Sequence, residues 1–135
     1  MCESDNKMRS FVATVFAISL IACAQRSQSE AELRLRHYFD LPLKASLQSE
    51  PSPLLNKLPI GTTEQEIYAF LDSSDVGKDG LSSYYRAGKR GEITCRVEYD
   101  VHSSDLVKES FEVFFRLDDN RKLLSARVER WLTGL

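Results

Sequence analysis

From Glu92 to Val101 apolar and polar positions alternate without a break. Ile93, Cys95, Val97, Tyr99 and Val101 fall on one side, and Glu92, Thr94, Arg96, Glu98 and Asp100 on the other. A period of two predicts an antiparallel strand with one buried and one wet face. Phe111, Val113, Phe115 and Leu117 repeat the pattern after a polar loop. Asp118-Asp119-Asn120 then predicts a tight turn. Leu124, Ala126 and Val128 are the expected inner positions of a last strand that ends near Trp131. A weaker strand is predicted from Leu81 to Arg86, closed by the turn Ala87-Gly88-Lys89-Arg90-Gly91.

Upstream the apolar spacing changes to three and four. Ala31, Leu35, Tyr38 and Phe39 share one side of a helix that starts at the capping pair Ser29 and Glu32, and that Pro42 helps to end. Pro42, Pro51, Pro53 and Pro59 exclude a continuous helix from Leu41 to Pro59. Within this wrapping connector Ser52-Pro53 predicts one turn bearing Leu54, Leu55 and Leu58. A second capping pair, Thr63 and Glu66, starts a helix with Ile67, Phe70 and Leu71 on its apolar face and Tyr68 at its flank. Asp72 to Gly80 is dense in turn formers and predicts an exposed loop. One or two short helices packed on a three- or four-stranded antiparallel meander make an α+β two-layer sandwich. Residues 30–135 are its expected single domain, with helix and connector over 30–59 and helix and meander over 60–135.

The beginning of the chain follows neither period. Phe11 to Ala22 (FVATVFAISLIA) is uncharged and apolar on all sides, with Lys7 and Arg9 ahead of it and a polar stretch behind. A helix needs about 20 apolar residues to cross ~30 Å of hydrocarbon, so this run is too short to span. Its length and basic flank match the apolar region of a secretory signal peptide. The run ends in Leu20-Ile21-Ala22-Cys23, which resembles the lipobox of bacterial lipoproteins. That resemblance implies lipid on the Cys23 thiol and cleavage between Ala22 and Cys23. Residues 1–22 are then a signal peptide and 23–29 a tether. It further implies acylation of the new amino terminus, and two or three acyl chains hold durably where one holds only marginally. Ala24, where Asp would favour the inner membrane, points within the same resemblance to the outer membrane and its periplasmic side. Glu3 and Asp5 are unusual in a leading segment, whereas Met8-Arg9-Ser10 makes a cleaner start, so Met8 is the expected beginning.

A second resemblance covers Leu58 to Trp131. Leu58-Pro59-Ile60-Gly61-Thr62-Thr63, followed by Glu66-Ile67 and a strand meander, resembles the BamE/SmpA family of small lipoproteins in outer-membrane barrel assembly. Leu117-Asp118-Asp119-Asn120-Arg121-Lys122-Leu123 matches that family's late strand turn. The family's usual Leu-Gly-x-Pro corner is replaced by Leu71-Asp72-Ser73-Ser74, and the region from Glu30 to Pro59 is additional. The resemblance implies the same fold and an accessory role in envelope assembly. A glycine and a capping threonine also have a purely mechanical use, starting a helix that packs on a sheet.

Charge and chemistry change this picture little. Lys and Arg number 18 against 20 Asp and Glu, and loss of residues 1–22 removes Lys7 and Arg9 against Glu3 and Asp5, so the balance stays. No basic stripe suits a phosphate backbone, and no nucleic-acid partner is expected. With Cys2 removed and Cys23 lipidated, Cys95 is left without an internal disulfide partner and is expected as a small buried residue. No metal-type spacing or glycine-rich phosphate loop occurs, so neither metal nor cofactor is expected. His102, Ser104 and Asp105 could be drawn as a triad, but triads are set by geometry, and a polar hairpin loop is the simpler reading. Glu92, Glu98, Asp100 and Glu112 alternate with Arg96 and Arg116 and are expected to pair across strands. Tyr84, Tyr85, Phe114 and Trp131 are the candidate protein-contact residues, expected together on the face away from the helices. The preferred alternative to exposure is burial of that face under the Glu30–Pro59 connector. No enzyme activity is expected. The expected function is that of a membrane-anchored lipoprotein that binds another envelope protein. The alternative is an inhibitor or immunity lipoprotein that neutralises a toxin or hydrolase.

Overall fold

The strand-period segments become one antiparallel sheet in the computed structural model of the protein, which describes residues 28–98 and 106–134. Its strands are β1 (Ser82–Tyr85), β2 (Glu92–Val97), β3 (Lys108–Leu117) and β4 (Leu123–Thr133). They lie in the order β1-β2-β3-β4, a simple meander. Two helices, α1 (Glu30–Tyr38) and α2 (Glu64–Ser73), pack on it, so the fold is the expected α+β arrangement. Between them Pro53–Asn56 forms a 3-10 turn, capped where Ser52 Oγ accepts the Leu54 amide at 3.4 Å.

Alternation decides what the sheet buries. Ile93, Cys95 and Val97 stand beside Phe115, Val113 and Phe111, and Val113 and Phe115 stand beside Val128 and Ala126. All are buried, and they form one core with Ala31, Leu35, Tyr38 and Phe39 of the first helical segment. The face assigned to α1 from its spacing is therefore the face that packs. Phe39 stacks on Phe70 of α2 at 5.8 Å and tilts against Phe115 at 6.0 Å, so three segments meet at one aromatic contact. In α2, Ile67 and Leu71 are buried as expected, but Tyr68 is in the core rather than at its flank and Phe70 is only partly covered.

β4 corrects the predicted register. Leu124 is not an inner residue: it is about half exposed, and Leu123 is buried instead. A bulge between Arg116 and Leu117 explains this, because Arg116 faces Ser125 while Leu117 faces Leu123. The extra residue turns Leu123 inward and leaves Leu124 outside without disturbing Ala126 and Val128.

The helix ends follow local chemistry. Thr63 and Glu66 complete a reciprocal capping box, Thr63 Oγ1 accepting the Glu66 amide at 3.3 Å and Glu66 accepting the Thr63 amide at 2.9 Å. At α1 Ser29 caps the Glu32 amide, while the Glu32 carboxylate turns to Arg36. α1 closes with Asp40 at φ 50° and the Leu41 amide on the Arg36 carbonyl at 2.8 Å, a Schellman-type end just before Pro42. Gly61 has φ 94°, a conformation that favours glycine. It lets the chain run beside the start of β4, where Gly61 N and Thr62 O both bond Leu123.

The segment 74–80 is more than the exposed loop its composition suggests. Val76 is buried. The Asp79 carboxylate accepts from the Leu81 amide at 2.9 Å, from Ser82 Oγ at 3.2 Å and from the Tyr38 hydroxyl. Burial opposes charge on Asp79, but these bonds and the nearby Arg34 outweigh it and lower its pKa. The same arrangement raises the pKa of Tyr38, through burial first and then the Asp79 bond.

Candidate functional site

The face of the sheet away from the helices carries no described covering element. Register divides it into rows across the strands. Tyr85, Thr94, Phe114 and Arg127 share one row, and Ser83, Arg96, Glu112 and Glu129 the next. Ser110 and Trp131 lie one row further on. The expected cross-strand pairing is met by Arg96 with Glu112, while Glu92 pairs with Arg127 and the Arg96–Glu98 and Arg127–Glu129 contacts run along single segments. Arg96 bonds Glu112 at 2.7 Å and lies 3.9 Å from Glu98; Arg127 lies 3.2 Å from Glu92 and 3.3 Å from Glu129. The Glu112 hydrogen bond raises the pKa of Arg96. For Arg127, partial burial works against the charge, and Glu129 and Glu92 outweigh it. The Arg127 guanidinium also lies 4.1 Å above the Phe114 ring, a cation–π contact that shields one face of the ring.

Three of the four predicted contact residues are on this face. Tyr85 and Trp131 are 55% and 50% exposed, while Phe114 is half-buried under Arg127. Tyr84 is not among them. It pairs with Cys95, whose side chain is buried, and so belongs to the inner face. There it stacks on Tyr68 at 6.1 Å and donates to Asp72. Burial of the aromatic face under the connector does not occur either. Leu41, Leu47, Leu54 and Leu58 of the connector enter the core beside the helices. It thus covers the face that was already apolar, where leucines lose most water contact.

A polar network ties the two strand turns to α2. Arg121 grips Glu64 with two bonds of 2.8 Å and reaches the Gly88 carbonyl at 3.1 Å. Tyr68 donates to Glu64 at 2.8 Å and accepts the Ala87 amide at 2.8 Å, with Arg86 stacked 4.4 Å over its ring. The Arg121 bond holds the Glu64 carboxyl below its ordinary range. Every partner in this network is internal, which makes it a brace between elements.

A cleft of about 310 Å³ opens between α1, the connector and the paired ends of β3 and β4. Glu32, Arg36, Glu109 and Arg130 line it beside Leu47 and Phe111. Arg36 contacts Glu32 at 3.1 Å, Arg130 lies 3.6 Å from Glu109, and the four charges sum to zero. Arg36 is buried and donates to the carbonyls of Pro42 at 2.7 Å and Ala45 at 2.9 Å, so it also pins the connector. Sequence reasoning missed this cleft. The one local signal was a second arginine beside the inward-facing Leu35.

Other chemical candidates are accounted for as follows. Cys95 is fully buried, and burial pushes its thiol up to about 12, so it stays protonated and inert. His37 is exposed with Nε2 2.7 Å from Asp75. Cys2, Met8, the lipobox Leu20-Ile21-Ala22-Cys23 and the trio His102, Ser104 and Asp105 lie outside the described residues, as do Tyr99, Asp100 and Val101. Among the described residues no helix is long and apolar enough to cross a membrane, and no group of three metal-type ligands occurs. No protein-family model, curated protein or solved structure matches the chain. The exposed sheet face and the cleft are therefore read from their own geometry.

Proposed function

We propose that the protein is a lipid-anchored, non-catalytic lipoprotein of the bacterial envelope that binds another envelope protein through the outer face of its sheet. The observation that carries the binding half is an open sheet face with Tyr85 and Trp131 half exposed among paired charges. Aromatic side chains rimmed by arginine supply contact area and hydrogen bonding at low ordering cost, which suits protein recognition. The address rests on the lipobox resemblance of Leu20-Ile21-Ala22-Cys23, followed by a short polar stretch and a helix from Glu30. Ala24 and the resemblance to BamE/SmpA support the outer membrane and an accessory role in its assembly. The non-catalytic reading is supported by the roles of the polar groups: Glu64, Arg121, Asp79 and Arg36 each brace one element against another.

Photo-crosslinking from position 131 or 85 in cells tests the binding face. Capture of barrel-assembly or other envelope subunits is the expected result, with no capture from an exposed α1 control position such as His37. Capture of a toxin or hydrolase would replace this function with inhibition. Cys23→Ser tests the address separately: it is expected to abolish incorporation of labelled acyl chains, and unchanged labelling would overturn the anchor.

A further inference from the structure

β4 is an edge strand. Its first residues are covered, since Gly61 and Thr62 bond Leu123 and Thr63 bridges Lys122. Among the described residues no segment pairs with its outer edge from Ser125 to Thr133. An edge of this length is a template for another strand unless something blunts it, commonly lysine, proline or a bulge within the strand. Here the bulge is at the very start, the sequence Leu124 to Thr133 (LSARVERWLT) has neither lysine nor proline, and its charges have opposite partners close by: the inward Arg130 lies 3.6 Å from Glu109, and Arg127 lies 3.3 Å from Glu129.

We propose that this edge binds the same edge of a second copy, antiparallel and centred on Val128. A two-fold pairing must keep inner faces with inner faces, so the two residue numbers in each pair sum to an even value. Centring on Arg127 would set arginine against arginine, and centring on Glu129 would set glutamate against glutamate. Centring on Val128 places Arg127 of each copy opposite Glu129 of the other, twice by symmetry. Opposite charges facing across strands stabilise the pair and like charges oppose it, so charge selects this register from its neighbours. The apolar residues agree with the choice. Val128 comes opposite the Val128 of the second copy on the inner face, whereas Leu124, turned outward by the bulge, does not meet the inward Leu132. Trp131 comes opposite Ser125, which is small enough to leave room for the indole. The eight-stranded continuous sheet that results keeps both outer faces on one side.

Charge reversal tests this with its own control. The full chain in detergent is followed by native mass spectrometry over a dilution series. Trp131, the sole tryptophan, gives a second signal through its emission. The expected result is a dimer that dissociates on dilution with a red shift of emission. Arg127→Glu and Glu129→Arg each turn two attractive pairs repulsive, which raises the dissociation constant by about tenfold or more. Mixing the two variants restores opposite charges in a heterodimer, and its return to wild-type affinity is the decisive expected result. Leu132→Lys, at an exposed position, sets a lysine in the edge and weakens the dimer without touching the ion pairs, and circular dichroism verifies folding of all three. A wild-type chain that stays monomeric at every concentration would overturn the proposal and leave the edge to a foreign strand. A dimer that neither reversal weakens would overturn it too, by placing the interface elsewhere.

Discussion

Phe114 and Phe115 are neighbours in β3, yet they belong to different chemical worlds. Phe115 is fully buried against Phe39, Ile93 and Ala126. Phe114 lies on the opposite face, half-covered by the Arg127 guanidinium. The contrast extends over the whole sheet. One face is aliphatic and aromatic under two helices and a connector; the other is a lattice of arginine–glutamate pairs with a few aromatic rings. The period of two divides the packed face from the wet face by residue number alone. Arg96, Glu112 and Trp131 lie outside the buried core that the inner face shares with the helices and the connector.

The largest test of that division compares the two phenylalanines directly. Phe115→Ala is expected to cost about 3–5 kcal/mol, because the transfer loss is compounded by a cavity that packed neighbours cannot close. Phe114→Ala is expected to cost about 1 kcal/mol, the scale of a cation–π contact and a partly covered ring. Urea denaturation with unchanged slope reads both. Equal losses at the two positions would mean that the outer face is covered in the folded protein.

Alkaline pH sharpens the same contrast through Cys95. Burial raises its folded pKa to about 12, above the ordinary thiol value near 9. Below that ordinary value both states hold the proton, and the stabilisation is fully present. Between about 9 and 12 only the unfolded state loses it, so stability falls by roughly 1.4 kcal/mol for each pH unit. Cys95→Ala is expected to remove this component at the cost of a small cavity. Tyr38 contributes with the same sign at higher pH, since its pKa is also raised. An unchanged alkaline profile in Cys95→Ala would show that the thiol is reached by water.

Much of the inner face is legible in the sequence, for a physical reason. Ile93, Cys95, Val97, Phe111, Val113 and Phe115 sit in strands whose side chains must alternate, and the Thr63–Glu66 box is complete within four residues. Four features depend on distant partners and are not legible. Tyr84 takes its face from a pairing with Cys95 across a turn of variable geometry. Leu123 replaces Leu124 because the bulge is defined only against Arg116 and Leu117. The connector's choice of face depends on where other apolar surface remains, which no local period records. The cleft is the extreme case, since its charges come from α1, β3 and β4. On the candidate binding face, Phe114 is legible as an aromatic on the polar side of its strand, whereas the adjacent Tyr84 and Tyr85 must face opposite ways and only the pairing of Tyr84 with Cys95 decides which is inside.

A smaller effect is expected at Trp131. Half its surface is already in water, so Trp131→Ser should change stability by about 0.5 kcal/mol or less while removing crosslinks from the outer face. Unfolding of this variant would place the indole in the core of the domain and end its use as a contact residue.

The smallest effect concerns the charges themselves. Arg96 and Glu112 make a 2.7 Å contact on adjacent strands, short enough to suggest a strong pair. Arg96 is nevertheless 44% exposed, and water screens such pairs until little of their Coulomb energy survives. A double-mutant cycle with Arg96→Ala and Glu112→Ala is expected to give a coupling of about 0.5 kcal/mol that shrinks further in high salt. A coupling several times larger and insensitive to salt would mean that the pair is shielded from water, and that something covers the face in solution. In the proposed binding role the lattice acts chiefly by exclusion, since a partner of that face has to match the pattern of signs before the aromatic rings can be buried.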